Sequence, residues 1–207
     1  MSRVQLKKKI HFLKRQLTNS DTTKIEITLK RQLTNSDEYT TKIEITPFKI
    51  PVKSECITEG IKINVQSLYL ERESLPERNY YQWIYQVNIK NEGDETVQLI
   101  SRHWIINHNN GKTENVGPKA PGVVGKYPVL RPGDSFEYNS GCPLRTPYGS
   151  MSGSFEMVVL EEIKTDDGRV GYKHTKERFD AFVAPFGLTM DGKDAIMPQE
   201  QVVGELD

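Results

Sequence analysis

The strongest constraint on the fold is a run of alternating residues near the middle of the chain. Tyr81, Trp83, Tyr85, Val87 and Ile89 are apolar or aromatic, and polar residues fill most positions between them. Successive side chains of a β-strand point to opposite faces of a sheet, so this pattern predicts a strand with one buried face. An α-helix would scatter the same residues around its circumference. We therefore expect a strand over residues 81–89 whose aromatic face lies in the core.

Similar strands are predicted on both sides of this run. Ile61, Ile63 and Val65 alternate with polar residues, and further strands are predicted at 97–107, 135–140, 153–163 and 170–183. A charged loop is expected at 71–79 and a hairpin turn at 165–168. Many short strands separated by turn residues predict an all-β fold, an antiparallel β-sandwich of the immunoglobulin or fibronectin type III kind. The expected core is formed by Trp83, Tyr85, Trp104, Phe136 and Phe155.

The first 50 residues contain a tandem duplication. Residues 13–21 (LKRQLTNSD) recur at 29–37, and residues 22–28 (TTKIEIT) recur at 40–46. Copies this similar indicate a recent duplication rather than two selected structural units, so we expect one copy to be redundant. Each KIEIT piece is a candidate edge strand, but we favour partial disorder across residues 1–50. The expected organisation is this extension, one β-sandwich at 55–190 and a loose polar tail at 191–207.

Charge and composition exclude several classes of partner. The 207 residues include 28 Lys and Arg and 28 Asp and Glu, so a net charge of zero gives no general attraction to nucleic acid or anionic lipid. The sequence has no apolar run of membrane-spanning length, and its two cysteines, Cys56 and Cys142, favour a reducing compartment. We expect a soluble, cytoplasmic protein without a nucleic-acid or membrane partner. The basic N-terminus gives mitochondrial targeting as the alternative.

Residues that commonly carry catalysis or bind metals are not grouped in the sequence. His103 and His108 differ by an odd number of positions, so they should face opposite sides of a strand. Cys142 has no neighbouring histidine, and its surroundings do not match a nucleophile elbow. We therefore predict no catalytic residue, no metal site and no cofactor. His103 is expected to hydrogen-bond a carbonyl of a neighbouring strand or loop.

A loop rich in glycine and proline is predicted over residues 109–133. A phosphate-binding glycine loop needs a helix N-terminus directly after it, whereas here a Tyr-Pro pair and another turn follow. The segment is therefore interpreted as a tight connection across the end of the sandwich. The alternative is a weak anion site of loop amides. Its residues would be Gly122, Val123, Val124, Gly125 and Lys126.

Several motifs of this region resemble the ApaG domain family. They include QL at 98–99, RHW at 102–104, GVVG at 122–125 and TP at 146–147, and the resemblance covers about residues 58–190. ApaG domains occur alone in bacteria and as C-terminal modules of eukaryotic F-box proteins and of a protein that binds DNA polymerase delta. The resemblance implies a fibronectin type III-like fold, protein interaction and a proposed link to cobalt and magnesium handling. It also implies a phosphate-binding glycine loop, although Ala120 replaces the first glycine of the family's pattern.

Together these observations predict a noncatalytic module that binds a protein partner through end loops or a sheet edge. The candidate surfaces are the loops at 71–79 and 109–133, with Tyr127, Arg131 and Tyr148 as anchors, because Tyr and Arg are enriched at interface hot spots. An exposed sheet edge would also allow two copies to pair as a homodimer. The alternative function is a small-ligand sensor that binds phosphate, pyrophosphate or a divalent metal complex at the glycine loop. The sequence does not identify the partner.

Overall fold

The computed structural model describes residues 27–33, 39–45, 49–164 and 169–196. Residues 50–195 form one compact unit, and the described residues before residue 50 belong to a second unit. Regular structure in the described ranges consists of β-strands and two 3-10 turns, Glu71–Glu73 and Pro76–Arg78, which lie in the predicted charged loop. No helix among these residues has the length and apolar character needed to cross a bilayer.

Two strands lie in the N-terminal extension, β1 (Ile27–Leu33) and β2 (Tyr39–Ile45). They pair antiparallel, with Leu29 opposite Ile43 and Leu33 opposite Tyr39. β1 contains the second LKRQL segment and β2 the second KIEI segment, so two halves of one repeat copy pair with each other. Residues 1–26 lie outside the described residues, so the redundancy of one copy stays a prediction.

The compact unit is a sandwich of two antiparallel sheets. From residue 49 onward the strands are β3 (Lys49–Ile50), β4 (Lys53–Thr58), β5 (Ile61–Tyr69), β6 (Tyr81–Asn91), β7 (Val97–His108), β8 (Thr113–Pro121), β9 (Val129–Leu130), β10 (Ser135–Leu144), β11 (Tyr148–Lys164), β12 (Val170–Thr189) and β13 (Ala195–Ile196). One sheet has the order β10-β6-β5-β4, and the other has the order β12-β11-β7-β8 with β9 paired to β7. The short strands β3 and β13 pair separately. This architecture confirms the predicted all-β sandwich.

Aromatic side chains fill the space between the sheets. Trp83, Tyr85, Trp104 and Phe155 are buried, and Phe136 is partly buried against the same cluster. The ring centroids of Tyr85 and Trp104 are 5.5 Å apart with the planes at 69°, and those of Trp104 and Phe155 are 5.7 Å apart at 85°. Edge-to-face pairs of this kind add stability beyond the area they bury. They join β6 to β7 and β11 and so position the two sheets.

Two regions differ from the sequence-based prediction. The region expected to be a single loop at 109–133 contains β8 and β9, because residues 113–121 pair with β7 although they show no regular alternation. β11 and β12 are longer than predicted, and their pairing includes two register shifts. A bulge reverses the inward and outward alternation, which hides the continuity of a strand in the sequence. The predicted turn at 165–168 lies outside the described residues.

The sheet edges are covered to different extents. At one side β4 lies beside β12, where Ser54 Oγ donates to the Ala184 carbonyl at 2.9 Å and the Phe182 amide donates to Thr58 Oγ1 at 3.2 Å. β8 is interrupted by a register shift against β7. β10 pairs with β6 over all ten of its residues, and it has no strand on its other side within the described fold. β10 is therefore a regular, open sheet edge.

Candidate functional site

The glycine-containing segment between β8 and β9 forms a tight β-turn. The Val123 amide donates to the Lys126 carbonyl at 2.9 Å, and the Lys126 amide donates to the Val123 carbonyl at 2.8 Å. The two central residues, Val124 and Gly125, have φ angles of +44° and +75°. Positive φ at both positions identifies a type I′ turn. A β-branched residue rarely adopts positive φ, so the turn holds Val124 in a strained conformation.

Contacts to β7 hold this turn in place. The Gly122 amide donates to the Ile100 carbonyl at 2.8 Å. Arg102 Nη1 donates to the carbonyls of Pro121 at 3.1 Å and Gly122 at 2.6 Å. Gly122 has a φ of +55°, and a Cβ at this position would overlap the Lys126 carbonyl oxygen. The close approach of the two backbone segments therefore requires glycine.

Few amides of this turn are available to an anion. Those of Gly122, Val123 and Lys126 already donate to backbone carbonyls. The amides of Val124 and Gly125 have no backbone acceptor among the described residues. β9 follows the turn, so no helix dipole adds to these two amides. The arrangement offers a much weaker anion site than a phosphate-binding loop.

An exposed surface extends from the turn along β9. We call it the β9 patch and define it as Val124, Tyr127, Val129 and Arg131. The three apolar members are 53%, 50% and 38% exposed, respectively. Arg131 lies against the start of β12, where its Nε donates to the Tyr172 hydroxyl at 2.7 Å and its guanidinium carbon is 5.7 Å from the ring centroid. Aromatic, apolar and guanidinium groups therefore share one short stretch of chain.

The backbone of the β9 patch is anchored to β7. The Leu99 amide donates to the Pro128 carbonyl at 3.0 Å, and Gln98 Nε2 donates to the Tyr127 carbonyl at 3.2 Å. Gln98 also lies opposite Val129 in the pairing of β7 with β9. These contacts fix the backbone beneath Tyr127 and Val129 while their side chains remain exposed. The patch is therefore presented by an ordered scaffold.

Tyr148, the third anchor predicted from the sequence, lies at the opposite end of β7. Its carbonyl accepts a hydrogen bond from the Asn109 amide at 3.2 Å, and the next residue, Gly149, lies opposite His108. Gln98 and His108 are ten positions apart, which corresponds to roughly 33 Å at about 3.3 Å per residue. Tyr127 and Arg131 are four residues apart in the chain and flank β9, whereas Tyr148 lies near the far end of β7 and is too distant to join them in one contact surface.

A polar groove lies on the outer face of the sheet that contains β7, β11 and β12. We call it the β11 groove; it encloses about 320 Å³ and is lined by Ser101, Arg102, His103, Ser154, Glu156, Arg178, Phe179 and Asp180. Ser101 Oγ donates to Glu156 Oε2 at 2.7 Å, and Arg178 Nη1 donates to Glu156 Oε1 at 3.2 Å. Sequence reasoning missed this groove because its residues come from three strands. The available signal was the outward alternation of Ser154 and Glu156 along β11.

The histidines differ in their surroundings. His103 Nε2 lies 3.3 Å from the side-chain oxygen of Asn115, so its partner is an amide side chain and not the backbone carbonyl expected from the sequence. His108 is 4% exposed, and its Nε2 lies 3.1 Å from Glu114 Oε1. This nitrogen–oxygen distance is within ion-pair range, but the geometry does not meet the requirements of a hydrogen bond, and His108 Nε2 has no hydrogen-bond partner among the described residues. A hydrogen bond from Lys112 is the main cause of a lowered pKa at Glu114.

Two other polar groups are buried near the centre of the sandwich. Cys142 is 2% exposed, and burial raises the pKa of its thiol to about 12, so it carries no thiolate near neutral pH. Burial also raises the pKa of Tyr138, whose hydroxyl has no hydrogen-bond partner among the described residues. Within the same ranges, no three His, Cys, Asp or Glu residues are grouped to hold a metal ion. The absence of catalysis stays a prediction.

Comparison with known proteins identifies relatives of the region that contains both surfaces. A family model described as the ApaG domain matches residues 71–159. Protein ApaG of Brucella anthropi is 52% identical over 101 residues, which cover 49% of this chain and 76% of that protein. Protein ApaG of Rhodospirillum centenum is 50% identical over 103 residues, covering 50% of this chain and 78% of that protein.

A solved structure is similar to this chain in both sequence and fold. The crystal structure of an ApaA protein from Bordetella pertussis matches with a TM-score of 0.52 and 36% sequence identity, and the match covers 68% of this chain and 98% of that chain. The β9 patch and most of the β11 groove lie within the residues that the family model matches, whereas the duplicated N-terminal extension lies outside them. By sequence and by fold, this chain belongs to the ApaG family.

Proposed function

We propose that this chain is a noncatalytic ApaG-type module that binds a protein partner through the β9 patch. The supporting observation is the exposure of Val124, Tyr127 and Val129 on a backbone that is hydrogen-bonded to β7. Tyr and Arg are enriched among the residues that dominate binding energy at interfaces. An ordered backbone also loses less conformational entropy on binding than a mobile loop.

The conformation of Val124 supports the same proposal. Its φ of +44° costs free energy, while Asn followed by Gly125 would adopt this turn with little strain. The Val124 side chain is 53% exposed, so its own burial in the core offsets only part of that cost. Strain that is kept at an exposed position favours a role in recognition.

A second candidate function is the sensing of a small anion or its metal complex at the same turn. The two amides of Val124 and Gly125 that lack backbone acceptors favour it. The position of Lys126 supports this sensing function less, because Lys126 Nζ lies 5.9 Å from the Phe136 ring centroid and interacts with the face of that ring. Titration with phosphate, pyrophosphate, Mg²⁺ and Co²⁺, followed by thermal unfolding, separates the two functions. A ligand present at one hundred times its Kd would add about 2.7 kcal/mol to the free energy of unfolding.

Affinity capture from the native source tests the protein-binding role. The bait proteins are the wild type, the double variant Tyr127→Ala with Arg131→Ala, and the control Tyr148→Ala. Tyr148 is a matched control because it is an aromatic residue of similar exposure, 40%, at the far end of β7. We expect the double variant to lose partners that the wild type and the control retain. A double variant with wild-type near-ultraviolet circular dichroism that keeps every partner would contradict the proposal.

A further inference from the structure

We infer that the open edge of β10 pairs with the β10 edge of a second copy of this chain, which continues the β10-β6-β5-β4 sheet across a two-fold axis. The β9 patch is attached to β7 of the other sheet, and β10 contributes no residue to it. The inference therefore does not rest on the proposed function, and either one can fail without the other.

The backbone groups of every second residue of β10 point away from β6. The Asn91 amide of β6 donates to the Asp134 carbonyl at 2.9 Å, and the Asn91 carbonyl accepts from the Gly133 amide at 2.8 Å. The direction of bonding alternates along a strand, so the even-numbered residues of β10 bond to β6 and the odd-numbered residues face the open edge. Pro143 fits this assignment, because a proline has no amide hydrogen to leave unpaired. The odd-numbered positions therefore present donors and acceptors to a further strand.

β10 lacks most of the features that block pairing at sheet edges. Its register with β6 has no shift over ten residues, so no bulge turns the edge aside. The odd-numbered residues of β10 are all exposed, and Glu137 is the only charged residue of the strand. Pro143 removes one donor, but it lies next to the end of the strand. Lysines, bulges or covering segments protect the edges of most monomeric sheets, and this edge has none of them within the described fold.

A second copy fits this edge because β10 is compatible with itself in an antiparallel pair. With the two-fold axis at Asn139, Glu137 lies opposite Gly141 of the second copy, so the charge of the edge does not oppose itself. Pro143 lies opposite Ser135 at each outer end. Residues 135–143 of the two strands then exchange about eight backbone hydrogen bonds. An axis nearer Leu144 moves the prolines inward, and an axis nearer Ser135 pairs fewer residues.

The side chains beside this axis are neutral and polar. Asn139 lies opposite Gln86, which lies opposite Gln66 in the next strand. With the axis at Asn139, the Asn139 side chains of the two copies lie directly opposite each other. A carboxamide carries both donors and an acceptor, so two of them can exchange hydrogen bonds. The outer face of the sheet therefore continues from one copy to the other without like charges in contact.

The opposite edge of the same sheet indicates that pairing stops at two copies. That edge is β4, which lies beside β12 and is hydrogen-bonded to it through Ser54 and Thr58. Identical edges that pair antiparallel form a closed two-fold interface. The joined sheet, in the order β4-β5-β6-β10-β10-β6-β5-β4, is within the usual size of a sheet. A closed dimer is therefore expected, and not a fibre.

Hydrogen exchange of the full chain, measured by two-dimensional NMR at increasing protein concentration, tests pairing at this edge. The amides of Glu137, Asn139 and Gly141 should become protected as the concentration rises, because they face the second copy. The Tyr138 amide should be protected at every concentration, because it bonds to β6.

Charge variants of Asn139 test the register. Asn139→Lys should weaken dimerisation by about tenfold or more, because two lysines would lie directly opposite each other. Asn139→Asp should weaken it for the same reason, and an equimolar mixture of the two variants should form a mixed dimer. Formation of the mixed dimer also shows that both variants are folded. Gln66→Lys is the matched control: it changes an exposed amide of the same row on an interior strand and should leave the dimer Kd unchanged.

Three results would overturn the inference. The first is exchange of the Glu137, Asn139 and Gly141 amides at rates that do not depend on protein concentration. Protection that appears only when cell extract is added belongs to this case, because the strand would then come from a different protein. The second is an Asn139→Lys variant that dimerises as tightly as the wild type. The third is a mixture of the two charge variants that stays monomeric at concentrations where the wild type is a dimer.

Discussion

Replacing Val124 with asparagine tests the link between the strained turn and binding. Val124 has a φ of +44° and precedes Gly125, and Asn-Gly is a preferred pair for a type I′ turn. Positive φ costs an ordinary residue about 1–2 kcal/mol. Val124 is about half exposed, so removing its side chain loses roughly half of a burial contribution of about 1.5 kcal/mol. The expected net effect is a gain of about 0.5 kcal/mol in the free energy of unfolding.

Urea denaturation followed by tryptophan fluorescence measures this gain, because Trp83 and Trp104 are buried in the sandwich. Gly125→Ala is the matched control. Gly125 has a φ of +75°, and an added Cβ would have no atom within 4 Å, so this substitution changes only the backbone preference. It should lower the free energy of unfolding by about 1 kcal/mol, with an unchanged dependence on urea.

The binding assay gives the decisive comparison for the same variant. Val124→Asn should be at least as stable as the wild type and should capture less of the partner, because an exposed apolar contact is lost. Two results would refute this reasoning. One is a loss of stability greater than about 0.5 kcal/mol, which would mean that Val124 supports the fold through its packing. The other is unchanged capture of the partner by a stabilised variant.

Three further predictions follow from the fold. Gly122→Ala should destabilise the chain by about 2 kcal/mol or more, because the added Cβ overlaps the Lys126 carbonyl; a change below about 0.5 kcal/mol in urea denaturation would exclude this contact. Because the pKa of the Cys142 thiol is raised on folding, the unfolded chain releases this proton at lower pH than the folded chain does. The stability that the buried thiol contributes should therefore be lost between about pH 9 and 12. Cys142→Ala should make the free energy of unfolding less dependent on pH over that range. If two copies pair through the open edge of β10, analytical sedimentation should show a mass that doubles as the protein concentration rises. Asn139→Lys, on the same strand, should keep the chain monomeric. A wild-type chain that stays monomeric at all concentrations would exclude the homodimer.

The regular parts of the sandwich could be predicted from the sequence because their alternation is uninterrupted. Ile61, Ile63 and Val65 in β5 and the aromatic run in β6 give a period of two residues, and burial follows it along both strands. The same rule failed for β8, where contacts with β7 hold a segment that has no apolar alternation. Tertiary pairing there overrides the local signal.

The candidate sites were harder to predict because they depend on which strands become neighbours. Tyr127 and Tyr148 both follow glycine- or proline-containing segments, yet they lie at opposite ends of β7. The β11 groove joins Ser101 to Glu156 and Asp180, which are 55 residues or more from Ser101 in the chain. A strand period indicates which face a residue occupies, but it does not identify the residue beside it in the next strand.

Site-specific photo-crosslinking tests the central claim most directly. A photoreactive phenylalanine analogue replaces Tyr127 in one protein and Tyr148 in another, two aromatic positions that are 50% and 40% exposed, and each protein is irradiated in extract from the native source. We predict that the analogue at position 127 forms a covalent adduct with a partner protein and that the analogue at position 148 does not. Adducts formed only from position 148, or no adduct from position 127, would contradict binding through the β9 patch.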